Sequence, residues 1–270
     1  MTAAAVFVRT LVRSSAIFLG STLVLLHMPL SGSQDLQGAA SGLASPDPAV
    51  RTKAACDVRS AGSQAASLIP QLAVLLADGS PVDPAVCGDR TWRARGAMDQ
   101  TTPGEQAAAA LVAIGSAAYE TLARTLEASA WIARSNAAWA LGALHNRAAV
   151  PLLEHTLHDT EPPVRTHSAW AIGALDGADA VPALIDALKD PDAGVREQVA
   201  WALGAIRDRR AVDGLVAALA DGAPAVRAQA AWALGAIRDR RAVDALARSL
   251  KDADAHVRRQ AAWALGAIGQ

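Results

Sequence analysis

The chain has 270 residues, 52% hydrophobic but only 4% aromatic, with 25 Lys and Arg against 26 Asp and Glu. Apolar content this high excludes a disordered chain, and the balanced charge supplies no basic stripe of the kind nucleic acid requires. Alanine is by far the commonest apolar residue, and it lets helices approach closely without filling much volume.

The first element in chain order reads as an export signal. Arg9 and Arg13 precede an apolar run from Ala16 to Met28, and the small residues Ser31 and Ser33 follow, which predicts cleavage after Ser33. The run is short for a membrane span of about 20 residues and contains His27 and Pro29, so a cleaved signal over 1–33 is the first reading and an uncleaved anchor the second. Either places the body outside the cytoplasm, as a periplasmic or secreted protein or one held at the inner membrane. No cysteine lies near the run to accept a lipid. Residues 34–47 are expected to form a linker.

Residues 48–102 read as a divergent first helix pair followed by a long insertion, Asp78 to Thr102, which carries Cys87, Trp92 and the arginines Arg90, Arg93 and Arg95. Loops longer than about 12–15 residues are usually functional or disordered, and a functional insertion and an idle excursion both stay open. Cys56 and Cys87 are an isolated pair in a chain bound for an oxidising compartment, hence a disulfide candidate; two unpaired core thiols are the alternative.

From residue 103 the chain is periodic. Trp139, Trp170, Trp201, Trp232 and Trp263 recur at a spacing of 31 residues, each followed by Ala, then Leu or Ile, then Gly. The segment WALGAIRDRRAVD from Trp201 to Asp213 returns letter for letter from Trp232 to Asp244. Each unit holds two helical patterns: Val195, Val199, Leu203 and Ile206 form one stripe, and Val181, Leu184 and Leu188 a second, which returns as Val212, Leu215, Leu219 and as Val243, Leu246, Leu250. Asp190-Pro191-Asp192 and its relatives supply turns and caps between units, and Asp208 and Asp239 break the chain within them. One such pair cannot bury its stripe alone, so the units must stack.

The run DPDAGVREQVAWALGAIRD followed by RRAVDGLVAAL resembles the short HEAT-like repeat first associated with phycobilisome lyases. The resemblance covers residues 103–270 strongly and 48–78 weakly, where Val50-Arg51 matches Val195-Arg196 and Cys56 stands in the tryptophan position. It implies an all-α fold, an α-α superhelix or solenoid of about six HEAT-like helix pairs. These are expected near 48–77, 103–127, 131–158, 162–189, 193–220 and 224–251, with a terminal half repeat near 255–268 whose open side favours self-association. It also implies that Arg134, Arg165, Arg196, Arg227 and Arg258 form a structural ladder with Asp159, Asp190, Asp221 and Asp252.

Catalytic signals are weak. His145, His155, His158 and His167 cluster in sequence, but steps of 31 residues from His155 and His158 reach Asp186, Ala217, Lys189 and Ala220, the pattern of a variable solvated face rather than of a metal site. Nothing singles out a nucleophile with its base, and no phosphate-binding glycine loop occurs; the Leu-Gly pairs lie inside helices, where glycine admits close packing. Deoxyhypusine hydroxylase, a metal enzyme on similar repeats, carries His-Glu pairs, and this chain has no His-Glu dipeptide. Tryptophan stands apart. On a helical wheel Trp201 points roughly 150° away from its own stripe, so the five tryptophans would line one surface. They either lie flat on the adjacent first helix or form a binding face.

The expected function is binding without catalysis: an exported scaffold, with no cofactor, whose concave face takes a protein or peptide and no nucleic acid. Two other classes stay open. One is a lyase-like or enzyme accessory protein that holds a small aromatic ligand on the tryptophans. The other is an assembly or sensor module, in contact with the membrane only through an uncleaved amino terminus.

Overall fold

The computed structural model describes residues 33–88 and 100–269. The export signal and the insertion tip, with Trp92, Arg90, Arg93 and Arg95, lie outside these residues. The described chain is helical in two layers. The first helices of the units are α2 (Pro48–Ala61), α4 (Pro103–Ile114), α6 (Trp131–Ala143), α8 (Pro162–Ala174), α10 (Ala193–Ile206), α12 (Pro224–Ile237) and α14 (Ala255–Gly269), which stack side by side in chain order. The second helices are α3 (Ile69–Leu75), α5 (Tyr119–Thr125), α7 (Val150–Thr156), α9 (Val181–Ala187), α11 (Val212–Ala218) and α13 (Val243–Ser249).

Local chemistry sets the boundaries. Proline opens α2, α4, α8 and α12, where its missing N–H costs nothing. Asp47 and Asp192 cap α2 and α10, and Thr102 with Glu105 closes a reciprocal capping box on α4. Four first helices lead into a left-handed residue, His145, Asp176, Arg207 or Arg238. Asp208 and Asp239 then cap short 3-10 turns, the breaks expected within the unit.

The sequence stripes are the core. Val195, Val199 and Leu203 are fully buried and Ile206 nearly so, and the second stripe is equally enclosed at Val181, Leu184, Val212 and Leu215. Each second helix packs mainly on the first helix that follows it, α7 on α8, α9 on α10, α11 on α12 and α13 on α14. The terminal half repeat is therefore not solitary, because α14 covers α13 as well as packing on α12. Its outward side is open: Leu250 is 41% and Trp263 49% exposed, whereas Leu157 and Leu188 are buried.

One expected boundary changes. Residues read as a linker form helix α1 (Ser33–Leu43), which packs on α2 and α3 and buries Ala39 and Leu43. The stretch around Gly38 and Gly42 offers little propensity or stripe, so tertiary packing decides its conformation.

The stacking distance is set by glycine. A Cβ added at Gly142, Gly173, Gly204 or Gly235 would come within 2.6–2.9 Å of the next unit's tryptophan Cζ3 and equally near an alanine Cα. First helices thus meet backbone against alanine, as the internal Leu-Gly pairs imply. Gly204→Ala gains helix propensity worth about 1 kcal/mol yet should destabilise the chain, because overpacking a tight contact costs about 1–3 kcal/mol. Gly266→Ala, with nothing within 4 Å, should leave the melting temperature unchanged or raise it. Thermal melts of the two variants decide; equal behaviour would refute the packing account.

Candidate functional site

The tryptophan indoles sit where first helices meet. Trp139, Trp170, Trp201 and Trp232 are half-buried against the core, and Trp263 is exposed. The Cζ3 edges of Trp170, Trp201, Trp232 and Trp263 rest over Gly142, Gly173, Gly204 and Gly235 of the preceding unit. Trp139 and Trp170 stack with centroids 6.2 Å apart and planes inclined by 15°. The rings therefore pack between repeats through one edge while keeping part of their surface open to solvent.

A second periodic system lies at the junctions between units. Arg134, Arg165, Arg196 and Arg227 each fork onto an aspartate 25 residues later, Asp159, Asp190, Asp221 or Asp252, with Nε to Oδ2 at 2.6–2.8 Å and Nη2 to Oδ1 at 2.8–2.9 Å. The remaining nitrogen reaches back to the previous junction: Arg165 Nη1 donates to the carbonyls of Asp159 and Thr160 at 2.8 and 3.1 Å. Each aspartate also accepts the amide two residues on, as Asp190 does from Asp192. Arg258 repeats the backward contacts to Asp252 and Ala253.

The ladder reaches the divergent first pair, where Arg51 binds Asp78 and the carbonyls of Ser45 and Pro46. It skips the second unit. Steps of 31 residues back from Arg134 and Asp159 reach Pro103 and Ala128, the fourth residue of α4 is Gln106 rather than an arginine, and the Asp78 carbonyl accepts from the Gly104 amide instead.

The insertion leaves and returns at that same gap. Val82 and Thr101 exchange amide–carbonyl hydrogen bonds at 2.8 Å, closing its neck. Cys87 is bonded to Cys56, S–S 2.01 Å, on the α2 position that tryptophan holds in later units. The insertion is thus tied to the tryptophan side of the first pair.

The histidines stay apart. His145, His155 and His158 are exposed, and the described residues contain no group of His, Cys, Asp and Glu arranged to hold a metal. His167 departs from the solvated reading: burial lowers its pKa, and its Nδ1 lies 2.8 Å from Ser135 Oγ and 3.1 Å from the Ser135 carbonyl. That carbonyl requires a proton on Nδ1, so the ring nitrogen facing Ser135 is a donor and not a base toward its hydroxyl. The pair ties α8 to α6. Its signal in the sequence was slight, since His167 stands where Asn136 and Gln198 stand in adjacent units.

The arginine forks hold the carboxyls of Asp159, Asp221 and Asp252 below the ordinary range; at Asp190 burial opposes the shift, and the Arg165 fork and Asp192 amide outweigh it. Because the folded pKa values lie below the unfolded value of about 3.9, the stabilisation is complete above roughly pH 5 and is lost as pH falls through the folded values. The melting temperature should drop steeply below about pH 4. A variant with Arg196→Met and Arg227→Met should start lower and show a shallower slope over that window; an unchanged slope would mean the ladder contributes no acid-sensitive stability.

Residues 155–224 and 212–270 match the family of HEAT repeats, and residues 133–159 match the PBS lyase HEAT-like repeat. No curated protein matches the chain. Among solved structures, an engineered protein is 22% identical with a TM-score of 0.50, over 87% of this chain and 96% of that one. The karyopherin Kap121p bound to the extreme C-terminus of the protein phosphatase Cdc14p is 16% identical with a TM-score of 0.67, over 87% of this chain and 29% of the karyopherin. The complex of CpcE and CpcF of phycocyanin lyase from Nostoc sp. is 21% identical with a TM-score of 0.47, over 92% and 98% of the respective chains. The 31-residue period, the paired helices and the matched residues make this chain a member of the HEAT-like repeat family.

Proposed function

We propose that the chain is an exported, non-catalytic scaffold that binds a protein or peptide on its tryptophan face. The observation that carries the reading is the register of that face: half-open indoles recur on successive first helices, two of them already stacked. Aromatic rings fixed in place lose little entropy on binding, which suits them to be anchors. The Cys56–Cys87 bond supports the export part, since such bonds persist in oxidising compartments. No helix of the described residues is long and apolar enough to cross a membrane. A solenoid of this fold holding a peptide has precedent in Kap121p with the Cdc14p terminus.

The chain should be recoverable from the extracytoplasmic fraction with Gln34 at its amino terminus, cross-linked to a partner. Trp201→Ala with Trp232→Ala should weaken that partner by about tenfold or more per folded molecule while the helical signal persists. A double variant that unfolds but keeps its affinity per folded molecule would assign the rings wholly to repeat packing. Recovery in the cytoplasm with the signal intact would end the export reading.

A second reading, self-association through the carboxy-terminal end, is favoured by one contrast. The four inner glycines are each filled by a tryptophan and an alanine of the next unit, whereas Gly266 meets nothing within 4 Å beside the exposed Trp263. Sedimentation should show concentration-dependent oligomers that Trp263→Asp abolishes; a monomer at all concentrations excludes this reading.

A further inference from the structure

The loops between first and second helices carry a charged edge that neither the tryptophans nor the junction ladder uses. The segment RDRRAVD stands at Arg207–Asp213 and again at Arg238–Asp244, giving six arginines against four aspartates on a chain of net charge −1. One arginine of each segment is structural. Arg210 binds Asp208 and donates to the Ala178 carbonyl at 2.7 Å, and Arg241 binds Asp239 and donates to the Arg209 carbonyl at 2.9 Å. These ties lock successive loops in register.

The other four arginines hold nothing in place. Arg207, Arg238 and Arg240 are exposed and have no side-chain hydrogen bond or ion pair among the described residues. Arg209, with 76% of its side chain exposed, comes no nearer to Asp239 than 3.9 Å. Three of the four acids of the two segments are engaged: Asp208 and Asp239 cap their turns and bind Arg210 and Arg241, and Asp213 lies 3.2 Å from Arg241. Asp244 is the one exposed carboxylate of the two segments without an ion pair among the described residues.

Because α10 and α12 touch through Gly204 and Ala233, equivalent residues of the two units are separated by about 8–10 Å. Arg207 with Arg238, and Arg209 with Arg240, thus form two parallel rows. An extended peptide rises about 3.3 Å per residue, so carboxylates on every third residue match that step. A nucleic-acid footprint would need a basic stripe over many units, and this edge spans two.

We infer that this edge is an interaction surface for an acidic, extended segment of a protein partner. The surface is separate from the tryptophan face, so either assignment can fail alone. The test is fluorescence anisotropy of a labelled (Glu-Ser-Ser) repeat peptide titrated with the full disulfide-bonded chain at about 20 mM salt, where surface charges are weakly screened. Arg207→Gln with Arg238→Gln, and separately Arg209→Gln with Arg240→Gln, should each weaken binding about tenfold at unchanged melting temperature. Arg248→Gln with Lys251→Gln removes the same charge from the cleft beside α11 and α13, and should change affinity by less than about twofold. Three results overturn the inference: no binding of the acidic peptide, an equal loss in the Arg248 and Lys251 control, or tighter binding of an oligo-dT strand, which would reassign the edge to nucleic acid.

Discussion

The approach of one first helix to the next, glycine backbone against alanine with a tryptophan edge laid over the contact, is the constraint on which the solenoid rests. Alanine and glycine bring little side-chain volume to an interface, so stabilisation comes from contact density and from the ring that closes over it. The larger aliphatic residues are held back for the seam between layers, where Leu153, Leu184, Leu203, Leu215 and Leu234 are fully enclosed. Two grades of packing result, thin between neighbours in a layer and thick between layers. This explains how a chain so rich in alanine forms a continuous core.

The arginine–aspartate ladder acts on the same stack from its junctions. Each guanidinium puts its fork on one carboxylate and its remaining nitrogen on carbonyls of the previous junction, so the turns at Asp159, Asp190, Asp221 and Asp252 are gripped from both sides. The side chains are largely shielded, 10% exposed for Arg165 and 8% for Asp190, and their polar atoms are matched, the condition under which a buried ion pair avoids a net penalty. At the second unit both partners are missing together: α4 brings no arginine, and Ala128 stands where later units place the aspartate. The disulfide and the Val82–Thr101 neck stand beside that interruption, the first tying the insertion to α2 and the second closing it on itself.

Much of this was legible in the sequence because the period repeats each local signal. The stripes through Val195 and Val181, the caps at Asp192 and Asp208, and the Leu-Gly contact each recur in several units, so local ambiguity averages away. Where the chain is not periodic, the reading weakened. Helix α1 carries no repeated stripe and passed for a linker, and Asp78 looked like the start of a loop because two extra residues separate it from Arg51, compared with the regular spacing. Contacts between units at variable positions, such as His167 with Ser135, leave no periodic trace. The arginine edge was hidden by a net charge near zero, which sums over surfaces that the fold separates. The tryptophans were read correctly as lying outside their own stripe, while their seat over the preceding unit's glycine needs the superposition of two helices to be visible.

The junction ladder also bears on how such a chain grows. The four units spanning residues 131 to 252 each bring their own arginine, aspartate, glycine and tryptophan, and each of these groups engages only its own unit or an adjacent one. A copied unit inserted in that stretch would therefore arrive with the partners of these four groups already present, and its removal would orphan none of the four. Copy number is chemically neutral in such an array, so gene duplication can lengthen the protein in whole rungs without passing through a misfolded intermediate length. The letter-for-letter identity of the segments starting at Trp201 and Trp232 is what such an event leaves behind.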